Sequence, residues 1–418
     1  MSPHAPPRCG SPPAPVLPGM TLGVMGGGQL GRMFVHAAQQ MGYFTAVLDA
    51  DPLSPAGRVS HHHIQSAYTD PVGLARLAEV SVAITTEFEN VPAQALEQLA
   101  ATRRIAPSAS AVGIAQDRVR EKAHFAGCGV SVAPYARIET AEQLEQVAAE
   151  SRRGGPLFPG ILKTSRMGYD GKGQMRVKSP AELAAAWADM DSVPCVLEKM
   201  LPLQMECSVI VARGGDGTCV NLPVQRNLHR DGILAVTEVF DGNMPVAQAE
   251  RAVAAAKSIA NGLQYVGVLC VEFFVLDPGQ PAAQALGGLV VNEMAPRPHN
   301  SGHYSLDACD VSQFDLQVRT LAGLPLIQPR QHSPAIMLNL LGDIWPEHRE
   351  NKMGSDPQLS EPDWAAVLAL PGAHLHLYGK ASASKGRKMG HLTITGASID
   401  QVRATALQAA AALGIAAF

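Results

Sequence analysis

The sequence predicts a multidomain α/β chain that opens on a parallel sheet covered by helices on both faces. Three observations carry that expectation. The chain has 418 residues, 46% of them hydrophobic and 17% charged, enough for a sizeable core divided among roughly two to four domains. Near its start, short apolar strands alternate with glycine-rich turns and helical patterns, the signature of βαβ units. Farther on, longer strands at residues 266–276 and 288–294 alternate with turns, before a β-rich stretch at 373–395 and an alanine-rich helix from about Ile399.

In chain order, residues 1–19 hold Pro3, Pro6, Pro7, Pro12, Pro13, Pro15 and Pro18. They lack the apolar run of at least ~7 residues that a secretory signal needs. A disordered leader is expected there, with Met20 as the initiator. Thr21–Met25 reads as the first strand and runs into Gly26-Gly27-Gly28-Gln29-Leu30-Gly31; a helix follows with Met33, Phe34, Ala37 and Ala38 on one face. Residues 46–48 form a second strand ending at Asp49 and Asp51, and residues 82–85 a later one leading into Glu87-Phe88-Glu89-Asn90. This first domain is placed at residues 20–118. Residues 119–205 read as a smaller unit with a second glycine-rich loop, 206–345 as a unit of longer strands, and 346–418 as a C-terminal domain. Residues 325–334 and the polar stretch 347–363 mark linkers. No internal repeat is visible.

Composition excludes some functions. Lys+Arg 33 against Asp+Glu 37 gives a net charge of −4, which points to neither nucleic acid nor an anionic membrane. No apolar run approaches the ~20 residues of a membrane span. The seven cysteines, Cys9, Cys128, Cys195, Cys207, Cys219, Cys270 and Cys309, are scattered without a Cys-x-x-Cys pair. They read as reduced core thiols of a cytosolic protein rather than a disulfide framework or zinc site. His61, His62 and His63 are consecutive, so their side chains diverge; a solvent-facing loop is expected.

The first glycine loop is ambiguous. Gly26-x-Gly28-x-x-Gly31 follows a strand and opens a helix, and Asp49 lies about 20 residues on, the context of a dinucleotide fingerprint. A tight turn without a ligand, or a loop holding another small molecule, fits as well. The second loop places Gly168, Gly171 and Gly173 among Lys163, Arg166 and Lys172. Such a segment suits a flexible, cationic cover over polyphosphate, although a solvated basic hairpin turn has the same composition. It is not a Walker A loop, because no Ser or Thr follows its Gly-Lys in frame.

Glu272 interrupts an otherwise apolar strand, and the next strand ends near Asn292-Glu293. A buried acid is costly without a cation or hydrogen bonds. Two carboxylates and an amide on neighbouring strands offer the hard oxygens that Mg²⁺ takes; a buried salt bridge to Arg297 is the competing reading. Ala295-Pro-Arg297-Pro-His299-Asn300-Ser301-Gly302-His303 presents guanidinium, imidazole, amide and hydroxyl on a proline-stiffened segment, an anion pocket in the making. Tyr378-Gly-Lys380 and Gly386-Arg387-Lys388-Met-Gly390-His391 read either as a phosphomonoester clamp or as a solvated hairpin tip.

Residues 26–33 (GGGQLGRM), 87–91 (EFENV), 168–174 (GYDGKGQ), 292–303 (NEMAPRPHNSGH) and 386–391 (GRKMGH) occur in this order. The set resembles the 5-(carboxyamino)imidazole ribonucleotide synthase family of ATP-grasp ligases in purine biosynthesis, over roughly residues 20–395. Ser165 and Met167 stand where that family has Arg and Gly, and Thr86 where Tyr is common. The resemblance implies an ATP-grasp fold: an N-terminal Rossmann-like pre-ATP-grasp domain, a lid subdomain (119–205), a core subdomain (206–345) and a small β-rich C-terminal domain. It implies that Arg118 and Lys163 contact ATP phosphates under a lid of Gly168, Tyr169, Asp170, Gly171, Lys172, Gly173 and Gln174. Glu198, Lys199, Met200 and Leu201 would hold adenine, with Glu206 on the ribose and His229 nearby. Glu272, Glu293 and Asn292 would hold Mg²⁺, and Arg297, His299 and Asn300 bicarbonate. Gln29, Leu30, Glu87, Asp170, Lys380, Arg387 and Lys388 would line the aminoimidazole ribonucleotide site.

On this resemblance bicarbonate attacks the γ-phosphate of ATP, and the exocyclic amine captures the resulting carboxyphosphate, with Asp170 positioning or deprotonating the amine. A cytoplasmic homodimer acting on small molecules is implied, with neither nucleic acid nor membrane as partner. The alternatives are a sister ATP-grasp carboxylase or ligase, an NAD-dependent oxidoreductase built on residues 26–31 and Asp49, and, more distantly, a binding module without catalysis.

Overall fold

The computed structural model describes residues 14–168, 173–345 and 361–418. Its first layer is a five-stranded parallel sheet. Thr21–Met25 lies at its centre, flanked on one side by Phe44–Leu48 and then His62–Ile64, and on the other by Ala83–Thr86 and then Arg104–Ile105. The three inner strands are almost wholly buried, as a parallel sheet covered on both faces requires. Strand order reverses at the central strand. The crevice beyond the carboxyl ends of Thr21–Met25 and Ala83–Thr86 is therefore the place where such sheets bind ligands.

Tyr135–Ile138, Cys195–Lys199, Gly160–Thr164 and Gln174–Val177 form a four-stranded antiparallel sheet, in that order. Ala141–Arg152 and Pro180–Asp189 pack on it around Val147, Leu162, Leu183 and Leu197. The third sheet is nine-stranded. Its order runs Leu289–Ala295, Gly267–Leu276, Leu203–Arg213, Gln225–Arg230, Ile233–Val239, Ala335–Leu341, Lys388–Thr395, Ala373–Leu377, with Cys219–Asn221 paired beside Leu203–Arg213. Ala335–Leu341 bonds both Ile233–Val239 and Lys388–Thr395. The β-rich end of the chain thus continues the core sheet, and the boundary expected at 345/346 falls after the strand that joins the two parts.

The helix Gln313–Ala322 binds the layers together. A capping box between Ser312 and Asp315 starts it and a left-handed Gly323 ends it, and it is buried on nearly all sides, as expected of a helix wedged between layers. Phe314, Val318 and Leu321 join Leu22, Val24 and Phe34 of the N-terminal domain, while Leu316 joins Ile210 and Cys270 of the core sheet.

Two expectations need correction. Residues 14–19 are not a free leader. Val16 N donates to Ala322 O at 2.8 Å, Gly19 N to Gly42 O at 2.8 Å, and Tyr43 Oη to Val16 O at 2.8 Å. Prolines suit an extended segment held through its remaining peptide groups. His61–His63 are not a loop either: His62–Ile64 is an edge strand beside Phe44–Leu48, and His61 Nδ1 accepts from Thr45 N at 3.2 Å. The expected leader residues 1–13 and linker residues 347–360 lie outside the described residues. Among the described residues, no helix is long and apolar enough to cross a membrane.

Candidate active site

A cavity of about 980 Å³ opens at the carboxyl edge of the parallel sheet, between it and the two antiparallel sheets. Gln29, Leu30, Glu87 and Glu89 line it from the first domain, Arg118 and Lys163 from the segments that follow, and Glu206, His229, Glu272, Asn292 and Glu293 from the core sheet. Arg297, His299, Asn300 and His303 form its floor, and Lys380, Arg387 and Lys388 its far wall. Gly168, Gly173 and Gln174 reach it as well; Tyr169, Asp170, Gly171 and Lys172 lie outside the described residues.

The first glycine loop is closed by its own protein. Gly28 N donates to Glu87 Oε1 at 2.7 Å and Gly31 N to Glu87 Oε2 at 2.9 Å, while Gly27 N donates to Asp49 Oδ2 at 2.7 Å. These amides form the anion-binding end of the helix Gln29–Gln40, and carboxylates already sit on them. Asp49 also accepts from Tyr68 Oη at 2.8 Å. The acid that would hold a nicotinamide ribose is thus taken up by Gly27 and Tyr68, and the Gly28 and Gly31 amides that would hold its pyrophosphate by Glu87, which disfavours the oxidoreductase reading. The glycines serve this packing: Gly26 has φ +107°, and a Cβ there would lie 2.5 Å from Glu87 Cγ. Burial raises the Glu87 carboxyl, and the Gly31 and Gly28 amides oppose the rise.

Glu272 and Glu293 are direct partners across the antiparallel pair formed by Gly267–Leu276 and Leu289–Ala295, so their side chains share one face. With Asn292 they offer an all-oxygen donor set of the kind Mg²⁺ prefers, and the residues therefore fit that ion. Their charges are balanced within the chain: Arg118 Nη1 meets Glu293 Oε2 at 2.9 Å, and His299 Nε2 meets Glu272 Oε1 at 2.9 Å. Burial would raise the Glu272 carboxyl, but His299 and His229 hold it below its ordinary range. The salt bridge to Arg297 considered from sequence is not formed by either acid; Arg297 pairs with Glu89.

Lys163 Nζ donates to Glu198 Oε2 at 3.1 Å and Asn292 Oδ1 at 3.4 Å. Lys122 Nζ lies 3.1 Å from the other Glu198 oxygen. Although burial works against it, the two lysines bring the Glu198 carboxyl down to about 2. No side chain of residues 198–201 lies among the described cavity lining. The Lys199 and Met200 amides donate to Pro134 O and Pro159 O. Glu206 and His229 do come together, Nδ1 standing 2.7 Å from Oε2. Burial lowers the His229 pKa, but Glu206 and Glu272 outweigh it and leave the ring above its ordinary value.

In the 297–303 turn, Gln313 accepts from His299 N at 2.9 Å and donates to His299 O at 2.8 Å. Arg297 is held to Glu89 of the first domain; its pKa is raised, Glu89 overcoming the effect of burial. Asn300 is 6% exposed, and neither its Nδ2 nor its Oδ1 has a hydrogen-bond partner. A buried amide in that state costs roughly 1–3 kcal/mol unless a ligand or water satisfies it. Ser301, read from sequence as part of the pocket, is fully buried and turned away from it.

The basic cluster near the C-terminus joins Ala373–Leu377 to Lys388–Thr395, and Lys380, Arg387 and Lys388 of this segment line the cavity while other loop residues are exposed. Lys380 Nζ donates to Lys388 O at 2.5 Å, Arg387 Nη1 to Ser382 O at 2.7 Å, and Gly386 N to Asp343 Oδ2 at 2.6 Å. Beneath it, His376 meets Asp307 at 2.9 Å and stacks on His391 at 4.4 Å with 9° between rings.

Sequence reasoning gave no role to Glu89, Lys122, Glu121 or Gln313, and read Asp49 only as the ribose carboxylate of the oxidoreductase alternative. Glu89 lies within the 87–91 motif, and its acid class, complementary to Arg297, was the available signal. The others depend on contacts between distant segments that spacing does not encode.

Residues 19–116 match the ribonucleotide synthetase preATP-grasp domain, 123–314 the ATP-grasp domain and 335–405 the phosphoribosylaminoimidazole carboxylase C-terminal domain. The N5-carboxyaminoimidazole ribonucleotide synthase of Brucella melitensis biotype 1 is 42% identical over 378 residues, covering 90% of this chain and 96% of that one. The Bacillus subtilis synthase is 38% identical over 378 residues, covering 90% and 92%. Among solved structures, an ADP complex of an N5-carboxyaminoimidazole ribonucleotide synthetase superposes with a TM-score of 0.84 at 36% identity, covering 95% of this chain and 98% of the other. The Aspergillus clavatus synthase in complex with ADP and 5-aminoimidazole ribonucleotide gives 0.81 at 29% identity, covering 94% and 98%.

Proposed function

The chain belongs to the N5-carboxyaminoimidazole ribonucleotide synthase family of ATP-grasp ligases, and on that premise we propose how its residues divide the reaction. The enzyme carboxylates 5-aminoimidazole ribonucleotide with bicarbonate and ATP, giving N5-carboxyaminoimidazole ribonucleotide, ADP and phosphate in purine biosynthesis. The observation that carries the assignment is a single cavity with three chemically distinct walls: an acid pair with cations, an anion pocket with an unpartnered amide, and a basic hairpin.

Bound Mg²⁺ supplies neutralisation of the polyphosphate charge, and Glu272, Glu293 and Asn292 are the side chains that would hold it. Lys163 and Arg118 face the transferred phosphoryl group, with Gly168, Tyr169, Gly171, Lys172, Gly173 and Gln174 covering it. The backbone at Glu198, Lys199, Met200 and Leu201 holds the adenine, Glu206 the ribose, and His229 orients Glu206. Arg297, His299 and Asn300 hold bicarbonate, whose oxygen attacks the γ-phosphate to give carboxyphosphate. Exclusion of water protects that labile species. Lys380, Arg387 and Lys388 take the 5′-phosphate of the ribonucleotide, while Gln29, Leu30 and Glu87 line its sugar and base. Asp170 positions or deprotonates the exocyclic amine that captures the carboxyl carbon. A cytoplasmic homodimer acting only on small molecules completes the reading.

The test is a coupled assay of ADP release with each substrate omitted in turn. Release is expected to require ATP, bicarbonate and 5-aminoimidazole ribonucleotide together. Equal release with a different acceptor in place of the ribonucleotide would overturn the substrate assignment and leave a sister ligase.

A further inference from the structure

A row of polar side chains runs from the anion pocket into the core sheet, where apolar packing would be expected. His299 Nε2 meets Glu272 Oε1 at 2.9 Å, and His299 Nδ1 lies 2.9 Å from Ser301 Oγ. Ser301 Oγ lies 2.8 Å from Ser208 Oγ on the strand Leu203–Arg213. Ser208 Oγ donates to Gln225 Oε1 at 3.1 Å and accepts from Asn227 Nδ2 at 2.8 Å; Thr237 Oγ1 donates to Asn227 Oδ1 at 3.0 Å. Ser208, Ser301, Gln225 and Thr237 are all fully buried.

Buried hydroxyls and amides are tolerated only when each satisfies its neighbour, and such a network fixes one geometry at its end. The end of this one is His299 Nδ1. The Ser301 backbone N–H lies 3.3 Å from the same atom, so both polar groups of Ser301 converge on Nδ1, bonding it one at a time while Ser208 donates to Gln225, and Nε2 is the ring atom left to face the cavity. Glu272 holds Nε2 in the present arrangement. A ring released from its Nδ1 anchor could rotate and present either nitrogen, or none, to an anion beside Arg297 and Asn300.

We infer that Ser301 and Ser208 are positioning residues for bicarbonate: they act through His299, fixing the plane and the cavity-facing nitrogen of its ring, and touch no substrate themselves. The inference rests on the reading of His299 as a bicarbonate ligand. The experiment measures KM for bicarbonate, KM for ATP and kcat in His299→Ala, Ser301→Ala, Ser208→Ala and the double variant His299→Ala/Ser301→Ala. Ser301→Ala is expected to raise KM for bicarbonate about tenfold, the loss of one hydrogen-bonded restraint, with KM for ATP and kcat little changed. Ser208→Ala moves it in the same direction by less. In the His299→Ala background, Ser301→Ala should add nothing, since there is no ring left to position. A Ser301→Ala effect that persists undiminished without His299, or that falls equally on ATP, overturns the positioning role. So does an unchanged bicarbonate KM in both serine variants while His299→Ala raises it. If His299→Ala itself leaves that KM unchanged, the bicarbonate reading fails and takes the inference with it. Should Ser301→Ala prove too unstable to assay, Ser208→Ala in the presence and absence of His299 carries the same comparison one bond farther out.

Discussion

Residues 26–31 and residues 297–303 face the same cavity, each follows a strand, and each looks from sequence like an anion-binding loop. They differ in what remains unsatisfied. In the first, Gly27, Gly28 and Gly31 already donate to Asp49 and Glu87. In the second, Gln313 satisfies the His299 backbone, while the Asn300 amide has no partner. A glycine-rich or proline-rich motif announces where the backbone comes close. Whether its donors remain available for a ligand depends on acids tens of residues away. The closed loop therefore contributes shape and a carboxylate surface to the cavity, and the open turn contributes hydrogen-bonding capacity.

The largest effect expected from that contrast lies on the open side. Asn300→Ala removes a buried amide that makes no hydrogen bond within the protein, so thermal stability should hold or rise, relief of the unpaired amide offsetting the small cavity left. The kcat/KM for bicarbonate should fall about 10- to 100-fold, the range for a hydrogen bond to a charged ligand. A large fall in Tm with normal bicarbonate kinetics would place Asn300 in the scaffold and erase the contrast.

On the closed side the order of effects reverses. Glu87→Ala leaves the Gly28 and Gly31 amides without their acceptor, at a cost of about 1–3 kcal/mol, so Tm should drop by several degrees; Glu87→Gln, which keeps one acceptor oxygen, should drop less. Freed amides at the start of the helix Gln29–Gln40 form an anion site. Inorganic phosphate should accordingly raise the Tm of Glu87→Ala more than that of the wild type. An equal phosphate response in the two proteins would show that Glu87 was not blocking the loop.

This contrast also marks what was legible in the sequence. The parallel sheet could be read because its periodicity and glycine turns are local. The acid pair at Glu272 and Glu293 could be read because an acid within an apolar strand stands out. The continuity of the nine-stranded sheet could not, since Ala335–Leu341 pairs with a strand about a hundred residues earlier and another about fifty residues later. Nor could the pairing of residues 14–19, where prolines suggested a free leader but Ala322 and Gly42 supplied partners. In the site, the charged residues were visible as types, whereas their pairing was not. Arg297 with Glu89, Lys122 with Glu198 and Gln313 with the 299–303 turn each join segments that only folding brings together.

Glu121 gives the smallest and most indirect test of the closed side, because it too lends a carboxylate oxygen to a backbone amide, accepting from Met294 N at 2.7 Å. Burial pushes its carboxyl up to about 8, against the pull of Arg118, whereas an unfolded glutamate titrates near ~4.3. Between those values the folded chain binds the proton and the unfolded chain does not. The resulting stabilisation is complete below the unfolded value and is lost as pH rises through the folded one. Without Mg²⁺ or nucleotide, the Tm of the wild type should therefore fall between pH 6 and pH 8 by on the order of 2 °C per pH unit more than that of Glu121→Gln. The variant keeps an oxygen for Met294 and carries no titrating proton, so its shallower slope isolates that single carboxyl. Parallel slopes in the two proteins would mean that Glu121 is ionised in the folded chain, with Arg118 compensating it as it does Glu293.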